Sequence, residues 1–242
     1  MYTVVANLLV ADRYQQFLRE AHQILAPSSR QFGQVEFDHV AREMTALCSE
    51  APERYLASMK AIGKLTSLQS IICQTTVEAF LRKNCGFKII TMCAQAVLHV
   101  SGASASLKGF DANISWHQDW PNTGGSKNSM VVWVPLGGCD ATEGGLILAE
   151  GENFPLLEYK NDAKVCGITE AAASALKGRY VAPNLGSGIL FDHFHPHCSE
   201  SGPNVRIAVS FRYEDASCMN WRGRGFEYLH QRSQVSREFT EW

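Results

Sequence analysis

The tetrapeptide Trp116-His117-Gln118-Asp119 places an imidazole and a carboxylate two residues apart. On an extended strand such residues share a face, so His117 and Asp119 can hold one metal ion between them. An imidazole and a carboxylate suit ferrous iron once a second imidazole joins them, a two-histidine, one-carboxylate face with three coordination positions left open. Those positions would take a chelating cosubstrate and dioxygen. A turn histidine beside a hydrogen-bonded aspartate has the same local sequence, so the second imidazole decides.

Three histidines compete for that place. They stand in Phe191-Asp192-His193-Phe194-His195-Pro196-His197, at the end of a predicted strand. Alternation puts His193, His195 and His197 on one side if the segment stays extended, and Pro196 interrupts it. Only one can complete the site; the others would be pocket groups that orient substrate or a ligand. Downstream, in residues 205–213, Val205, Ile207, Val209 and Phe211 alternate with Arg206, Ala208, Ser210 and Arg212. If the second set lines a barrel, Arg206 is buried beside small residues. A buried guanidinium needs an anion, and a carboxylate is its natural bidentate partner. A dicarboxylate that also chelates iron would meet both demands, with a protein carboxylate as the competing partner.

These side chains need elements to hold them. Between residues 12 and 26 the apolar Tyr14, Phe17, Leu18, Ala21, Ile24 and Leu25 recur at helical spacing. Asp12 with Gln15 reads as a capping box, and Pro27 as the stop. Further helices are expected at 36–48, 53–62 and 67–82, the last ending near Asn84 and Gly86. After Gly86 the period turns strand-like, with candidate strands at 87–92, 95–100, 129–135, 145–149, 188–192 and 205–213. Many short strands with few helices between them predict an antiparallel sandwich or jelly-roll barrel. Residues 152–182 read as an inserted loop with a short Ala-rich helix, a candidate lid. The expected organisation is a single domain over 1–242. It comprises a mainly helical flank (1–86), a jelly-roll core (87–214) and a C-terminal tail (215–242).

Composition sets the outer limits. With 45% hydrophobic and 19% charged residues in a chain of 242, there is apolar surface enough for a real core, which excludes a disordered chain. A net charge of −2 offers no bulk attraction for nucleic acid or anionic lipid. No run approaches the roughly 18 apolar residues of a membrane span, and no basic segment precedes the N-terminal apolar runs as in a signal peptide. The 8 cysteines include no C-x-x-C pair and read as reduced, mostly structural thiols, Cys198 among them as a packing residue. The expectation is a cytoplasmic protein with a small-molecule substrate and neither nucleic-acid nor membrane partner; a homo-oligomer is left open. Trp221, Arg222, Arg224, Phe226, Tyr228 and His230 in the tail suit a segment packed over the barrel mouth or at a subunit contact.

The order of motifs resembles the phytanoyl-CoA dioxygenase family of Fe(II)/2-oxoglutarate-dependent oxygenases. The match runs from Trp116-His117-Gln118-Asp119 through Val132-Trp133-Val134-Pro135-Leu136 and Glu143-Gly144-Gly145-Leu146 to Glu150-Gly151. It closes on Gly188-Ile189-Leu190-Phe191, Pro196-His197-Cys198-Ser199 and Asn204-Val205-Arg206-Ile207-Ala208, so it covers about residues 87 to 214. The resemblance implies a mainly β fold with flanking helices, a double-stranded β-helix (jelly roll, cupin-like). It implies His117, Asp119 and His197 as iron ligands, and Arg206 as the partner of the far carboxylate of 2-oxoglutarate. Trp133 falls where the family packs an aromatic near the cosubstrate, and Ser210 is a further candidate contact; Gln95 is a weaker one. The implied activity is oxidation of a small metabolite, hydroxylation by default, with dioxygen and 2-oxoglutarate consumed and desaturation, cyclisation or epimerisation sharing the opening steps.

Departures from the family pattern are specific. The stretch between His197 and Arg206 is short, which keeps His195 as a rival ligand. Ala208 stands where a serine is common, and Glu150-Gly151-Glu152-Asn153 replaces a Pro-Gly-Ser-His run at the cavity rim, so the family's substrates do not transfer. Asp119 itself argues against the halogenating relatives, which carry a small residue there. A zinc or cupin-type hydrolase or isomerase could use the same three ligands, but it would have no use for Arg206.

Overall fold

The computed structural model describes residues 2–28, 33–93, 95–102, 114–123, 126–140, 142, 144–161, 166–200 and 204–218. A strand, β1 (Tyr2–Val5), precedes five helices: α1 (Ala11–Leu25), α2 (Phe37–Glu50), α3 (Pro52–Ile62), α4 (Thr66–Gln69) and α5 (Gln74–Cys85). The rest runs β2 (Ile90–Met92), β3 (Val97–Ser101), α6 (Trp120–Thr123), β4 (Ser129–Gly137), β5 (Leu146–Ala149), β6 (Tyr159–Asn161) and β7 (Cys166–Ile168). It ends with α7 (Glu170–Ser174), β8 (Gly178–Val181), β9 (Gly188–Asp192), β10 (His197–Ser199) and β11 (Arg206–Asp215).

Tertiary pairing adjusts the helical expectations. The capping box at Asp12 does not form: Val10 is the N-cap and offers no side-chain hydrogen bond. Its own N–H is held by the Ile71 carbonyl at 2.9 Å, so the helix entry is fixed from a distant segment. The same pairing divides the helix expected at 67–82. The Cys73 N–H bonds to Leu8 O at 2.7 Å and Leu9 bridges to Ile72, which draws the chain between α4 and α5 out of helical conformation. Gly86 closes α5 in the left-handed region at φ 71°, where a residue without Cβ is unstrained.

Among the described residues the larger sheet has the order β1-β9-β4-β11-β2, with β3 also paired to β11, and every pairing is antiparallel. A second sheet has the order β10-β5-β8, and β6 pairs with β7. His117 bridges His197 on one side and Gly167 on the other, joining these pieces into one layer facing the large sheet. Two antiparallel layers around a shared interior make the expected jelly roll. The 152–182 segment is more ordered than a loop: it carries the β6–β7 pair, α7 and β8, and β8 extends the smaller sheet.

The alternation read in β11 sorts side chains between two cores. Ile207, Val209, Phe211 and Tyr213 face outward against the helical layer, packed with residues such as Phe17, Tyr55 and Leu81. Ala208 faces inward with Val131, Trp133, Ile189 and Phe191, against Leu146 and Leu148 of the opposite sheet. Each large buried apolar side chain contributes roughly 1.5–3 kcal/mol. The outer core clamps β4, β9 and β11 rigidly, and the inner face of those strands can therefore carry polar groups.

Candidate metal centre

The chain around His117 is extended because its backbone is used twice. The His117 N–H bonds to His197 O at 2.9 Å, and the His197 N–H returns to His117 O at 3.0 Å. On the other edge the Ile168 N–H bonds to Trp116 O at 2.8 Å. Extended conformation ends there: the N–H groups of Asn122 and Thr123 fold back onto Asp119 O, opening α6. Asp119 thus sits at the turn, with Oδ1 3.8 Å from His117 Nε2. The ligand-capable atoms of His117, Asp119 and His197 all lie within 4.8 Å of one another, and all three residues are buried.

Both imidazoles are oriented by backbone. His117 Nδ1 lies 2.8 Å from Ser115 O, and His197 Nδ1 lies 2.9 Å from His195 O. A carbonyl can only accept, so each Nδ1 carries the proton and donates it, leaving Nε2 as a lone pair. Burial lowers the proton affinity of both rings, His197 to about 3, so they remain neutral donors at ordinary pH. Two neutral Nε2 atoms beside one carboxylate are a donor set for a divalent transition metal, with the second ring nitrogen anchored as metal-binding histidines require.

Burial opposes ionisation of Asp119, but the Arg212 guanidinium and the neighbouring imidazoles hold its carboxyl well below the usual carboxylate range. Arg212 donates from Nε to Oδ2 at 3.0 Å and from Nη2 to Oδ1 at 3.2 Å. Its Nη1 donates to Ser210 Oγ at 3.2 Å, and Ser210 Oγ lies 2.8 Å from His99 Nε2. Burial first, and then the charge of Arg212, lower His99 to about 3, so it is neutral and Ser210 can donate to it. His117, Asp119, His197, Arg212, His99 and Trp133 all line one cavity of about 370 Å³.

The remaining predicted residues lie around this cavity. Ser210 lines it, engaged with His99 and Arg212. Arg206 is 1% exposed and is not among the lining residues; its Cζ lies 5.8 Å from the centre of the Trp133 ring. Arg206 Nη1 reaches Gly144 O at 3.5 Å, while Nε and Nη2 have no partner among the described residues. Burial lowers its proton affinity, the mark of a charge poorly compensated by its surroundings. Gly138, at φ 67°, permits the chain to pass here, because a Cβ would collide with the Val205 carbonyl.

The rival histidines face elsewhere. A turn at residues 193–195, closed by His195 N–H to Asp192 O at 3.0 Å, ends the extended conformation that alternation assumed. His195 Nε2 lies 3.0 Å from Ala149 O, and its ring packs edge-on against Tyr2 and Phe154. His193 Nδ1 lies 3.1 Å from Thr123 Oγ1. Gln95 is exposed at the approach to β3 and is not among the residues that line the cavity. Cys198 is buried in β10 opposite Ile147, as a packing residue. The aromatic and basic residues of the tail, from Trp221 to His230, lie outside the described residues.

Three contributors had no assigned role in the sequence. Arg212 was placed on the inward face of its strand but given no partner. His99 shares its face with Val97 and Ser101 by simple alternation in β3, a signal that was available. Gln118, between the two ligand candidates, points the opposite way: its Nε2 donates to the carbonyls of Pro155 and Phe194, and its Oε1 accepts from Leu157 N–H at 2.9 Å. It ties the segment that carries His117 and Asp119 to the segment before β6.

The donor set fits a ferrous ion, and the uncompensated Arg206 fits a carboxylate. No protein-family model and no curated protein matches the chain. Solved structures do. The chain is similar to the epimerase SnoN in complex with Fe3+, alpha ketoglutarate and nogalamycin RO, with 16% identity, a TM-score of 0.53, and 89% of this chain and 79% of that chain covered. It is also similar to the non-heme alpha ketoglutarate dependent carbocyclase SnoK from nogalamycin biosynthesis, with 12% identity, a TM-score of 0.50, and again 89% and 79% covered. At these identities the likeness establishes a shared fold, the jelly roll. No helix among the described residues is long and apolar enough to cross a membrane.

Proposed function

We propose that this protein is a non-haem Fe(II)/2-oxoglutarate-dependent oxygenase acting on a small molecule, with hydroxylation as its default outcome. The observation that carries the proposal is the convergence of two neutral, backbone-anchored imidazoles and one ionised carboxylate, all three buried, on one cavity. His117, Asp119 and His197 would hold the iron, and Arg206, with two nitrogens unpartnered among the described residues, would hold the far carboxylate of the cosubstrate. Both structural neighbours named above are alpha-ketoglutarate proteins, which supports the same chemistry on the same fold. Among such oxygenases, the motif order favours the phytanoyl-CoA dioxygenase branch.

When bound, iron would let dioxygen act as the oxidant, one oxygen atom being used to convert 2-oxoglutarate to succinate and carbon dioxide and the other to oxidise the substrate. The chain's own residues do the rest. Trp133, Val131, Leu146 and Phe191 give the cavity an apolar wall that would shield a bound substrate from water and position its carbon near the metal face. A volume of about 370 Å³ lies near the lower end of the roughly 300–1,000 Å³ usual for ligand pockets, which favours a compact metabolite over a polymer. Arg206 is the feature a hydrolase would not need, and it weighs against the zinc alternative.

The test is succinate release by Fe(II)-loaded protein with 2-oxoglutarate in air, over a panel of small metabolites. The expected result is slow release without substrate, stimulation by one chemical class, and loss of more than about 100-fold in His197→Ala. Iron-loaded protein that leaves 2-oxoglutarate untouched while hydrolysing a test ester or amide would overturn the assignment.

A further inference from the structure

Arg212 does more than neutralise a buried carboxylate. A carboxylate offers about four lone-pair positions, two on each oxygen. Two parallel donors from one guanidinium, Nε to Oδ2 at 3.0 Å and Nη2 to Oδ1 at 3.2 Å, occupy the pair that converge on a common point in front of the carboxylate. Those are also the positions a metal ion would need to chelate both oxygens at once. What remains free points away from that axis, one position on each oxygen. Oδ1 is the oxygen that faces His117 Nε2, at 3.8 Å.

We infer that Arg212 is a positioning residue that restricts Asp119 to binding a metal through a single oxygen, so that the metal keeps three positions for other ligands. The inference rests on the metal-site assignment made above. Arg212 is built for a fixed pose. It stands on β11, the strand buried on both sides, and the Cys93 N–H bonds to its carbonyl at 2.9 Å. Its third nitrogen is held by Ser210, and Ser210 by His99. A chain of three side chains thus fixes the plane of the guanidinium and, through it, the plane of the Asp119 carboxylate. Without the fork, Asp119 is free to turn and offer both oxygens. A chelating Asp119 would fill a position that a bidentate cosubstrate and dioxygen require together.

The experiment uses Mn(II) alone as the probe, on the intact protein. Affinity is read from the free-ion paramagnetic resonance signal, and the number of bound waters from water-proton relaxation per bound ion. In the parent, three of the six positions carry water. In Arg212→Leu, relaxation per bound ion falls by about a third as one water is displaced, while Mn(II) affinity holds or rises. Arg212→Lys keeps the charge but not the fork, and it shows the same fall. Ser210→Ala, which loosens the guanidinium without removing it, shows a smaller one. Circular dichroism verifies the fold of each variant; if Arg212→Leu does not fold, Arg212→Lys and Ser210→Ala carry the comparison. Unchanged relaxation per bound ion in the folded Arg212 variants, or in Ser210→Ala where neither of those folds, overturns the inference and leaves the metal site standing. Mn(II) binding that is equally tight in the parent and in His117→Ala overturns the metal site itself, and the role of Arg212 with it.

Discussion

Arg206 is the residue at which stability and function pull apart. A guanidinium that is 1% exposed, with two N–H groups lacking partners among the described residues, costs folding energy that only an anion can recover. Replacing it with Met, of similar length and no charge, should therefore raise the melting temperature of the ligand-free protein. About 1–3 kcal/mol of relief corresponds to a rise of several degrees at this chain length. The same change should weaken 2-oxoglutarate binding by about 100-fold, because a charge-assisted pair is lost. Differential scanning of both proteins, with and without 2-oxoglutarate, checks the two effects together. A Met variant that melts lower and still binds the cosubstrate would show that Arg206 has a structural partner instead. His117 and Asp119 were legible from spacing and Arg206 from alternation, whereas alternation left His193, His195 and His197 as rivals and only the family resemblance singled out His197. The orientation of the imidazoles was not legible, because it depends on the carbonyls of Ser115 and His195, and backbone carbonyls carry no sequence signal.

The strands and helices hold these residues by contacts that cross long sequence distances. Periodicity located α1, α2 and α3 within a residue or two and β9 to the residue, since each has an apolar face of clear period. It missed β10, three residues long, and β1, whose pairing with β9 depends on a partner far along the chain. It also joined α4 to α5, because the pairing of Cys73 with Leu8 is invisible locally. At this level Gln118 is the most informative test. Its side chain makes three hydrogen bonds that tie the segment carrying His117 and Asp119 to residues 155–157 and to Phe194, and the residue is 1% exposed. Gln118→Leu leaves three part-buried backbone groups without their side-chain partner and should destabilise the protein by about 1–3 kcal/mol. Hydrogen exchange should then accelerate at Leu157, whose N–H is given to Gln118, before it does so in β11. Uniform acceleration throughout would mean that the clamp is not local.

The jelly roll as a whole encloses several imidazoles that must stay neutral to fold. Burial lowers His193 to about 4 and His197 to about 3. In the unfolded chain each titrates near 6.5, so below that pH the unfolded state binds protons that the native state refuses. Stability of the metal-free protein is therefore fully present above about pH 6.5 and is lost as the pH falls toward 4, by about 2 kcal/mol per histidine at pH 5. Denaturant titrations at pH 7 and pH 5 measure the difference. His193→Asn, which removes the titrating group, should flatten the profile; an unchanged slope would mean that His193 is protonated in the native state. Metal binding acts in the opposite sense. Mn(II) at 100 times its dissociation constant should stabilise the parent by about 2.7 kcal/mol. It should do nothing for His117→Ala.

The most direct test of the central claim is an anaerobic titration of the metal-free protein with Fe(II) and then 2-oxoglutarate, followed by visible absorption. Chelation of iron by the 2-oxo acid produces a metal-to-ligand charge-transfer band that neither component gives alone. The account predicts this band in the parent, its loss in His197→Ala, and a need for much higher 2-oxoglutarate in Arg206→Met. A parent that binds iron tightly through His117, Asp119 and His197 yet develops no band at saturating 2-oxoglutarate would contradict it.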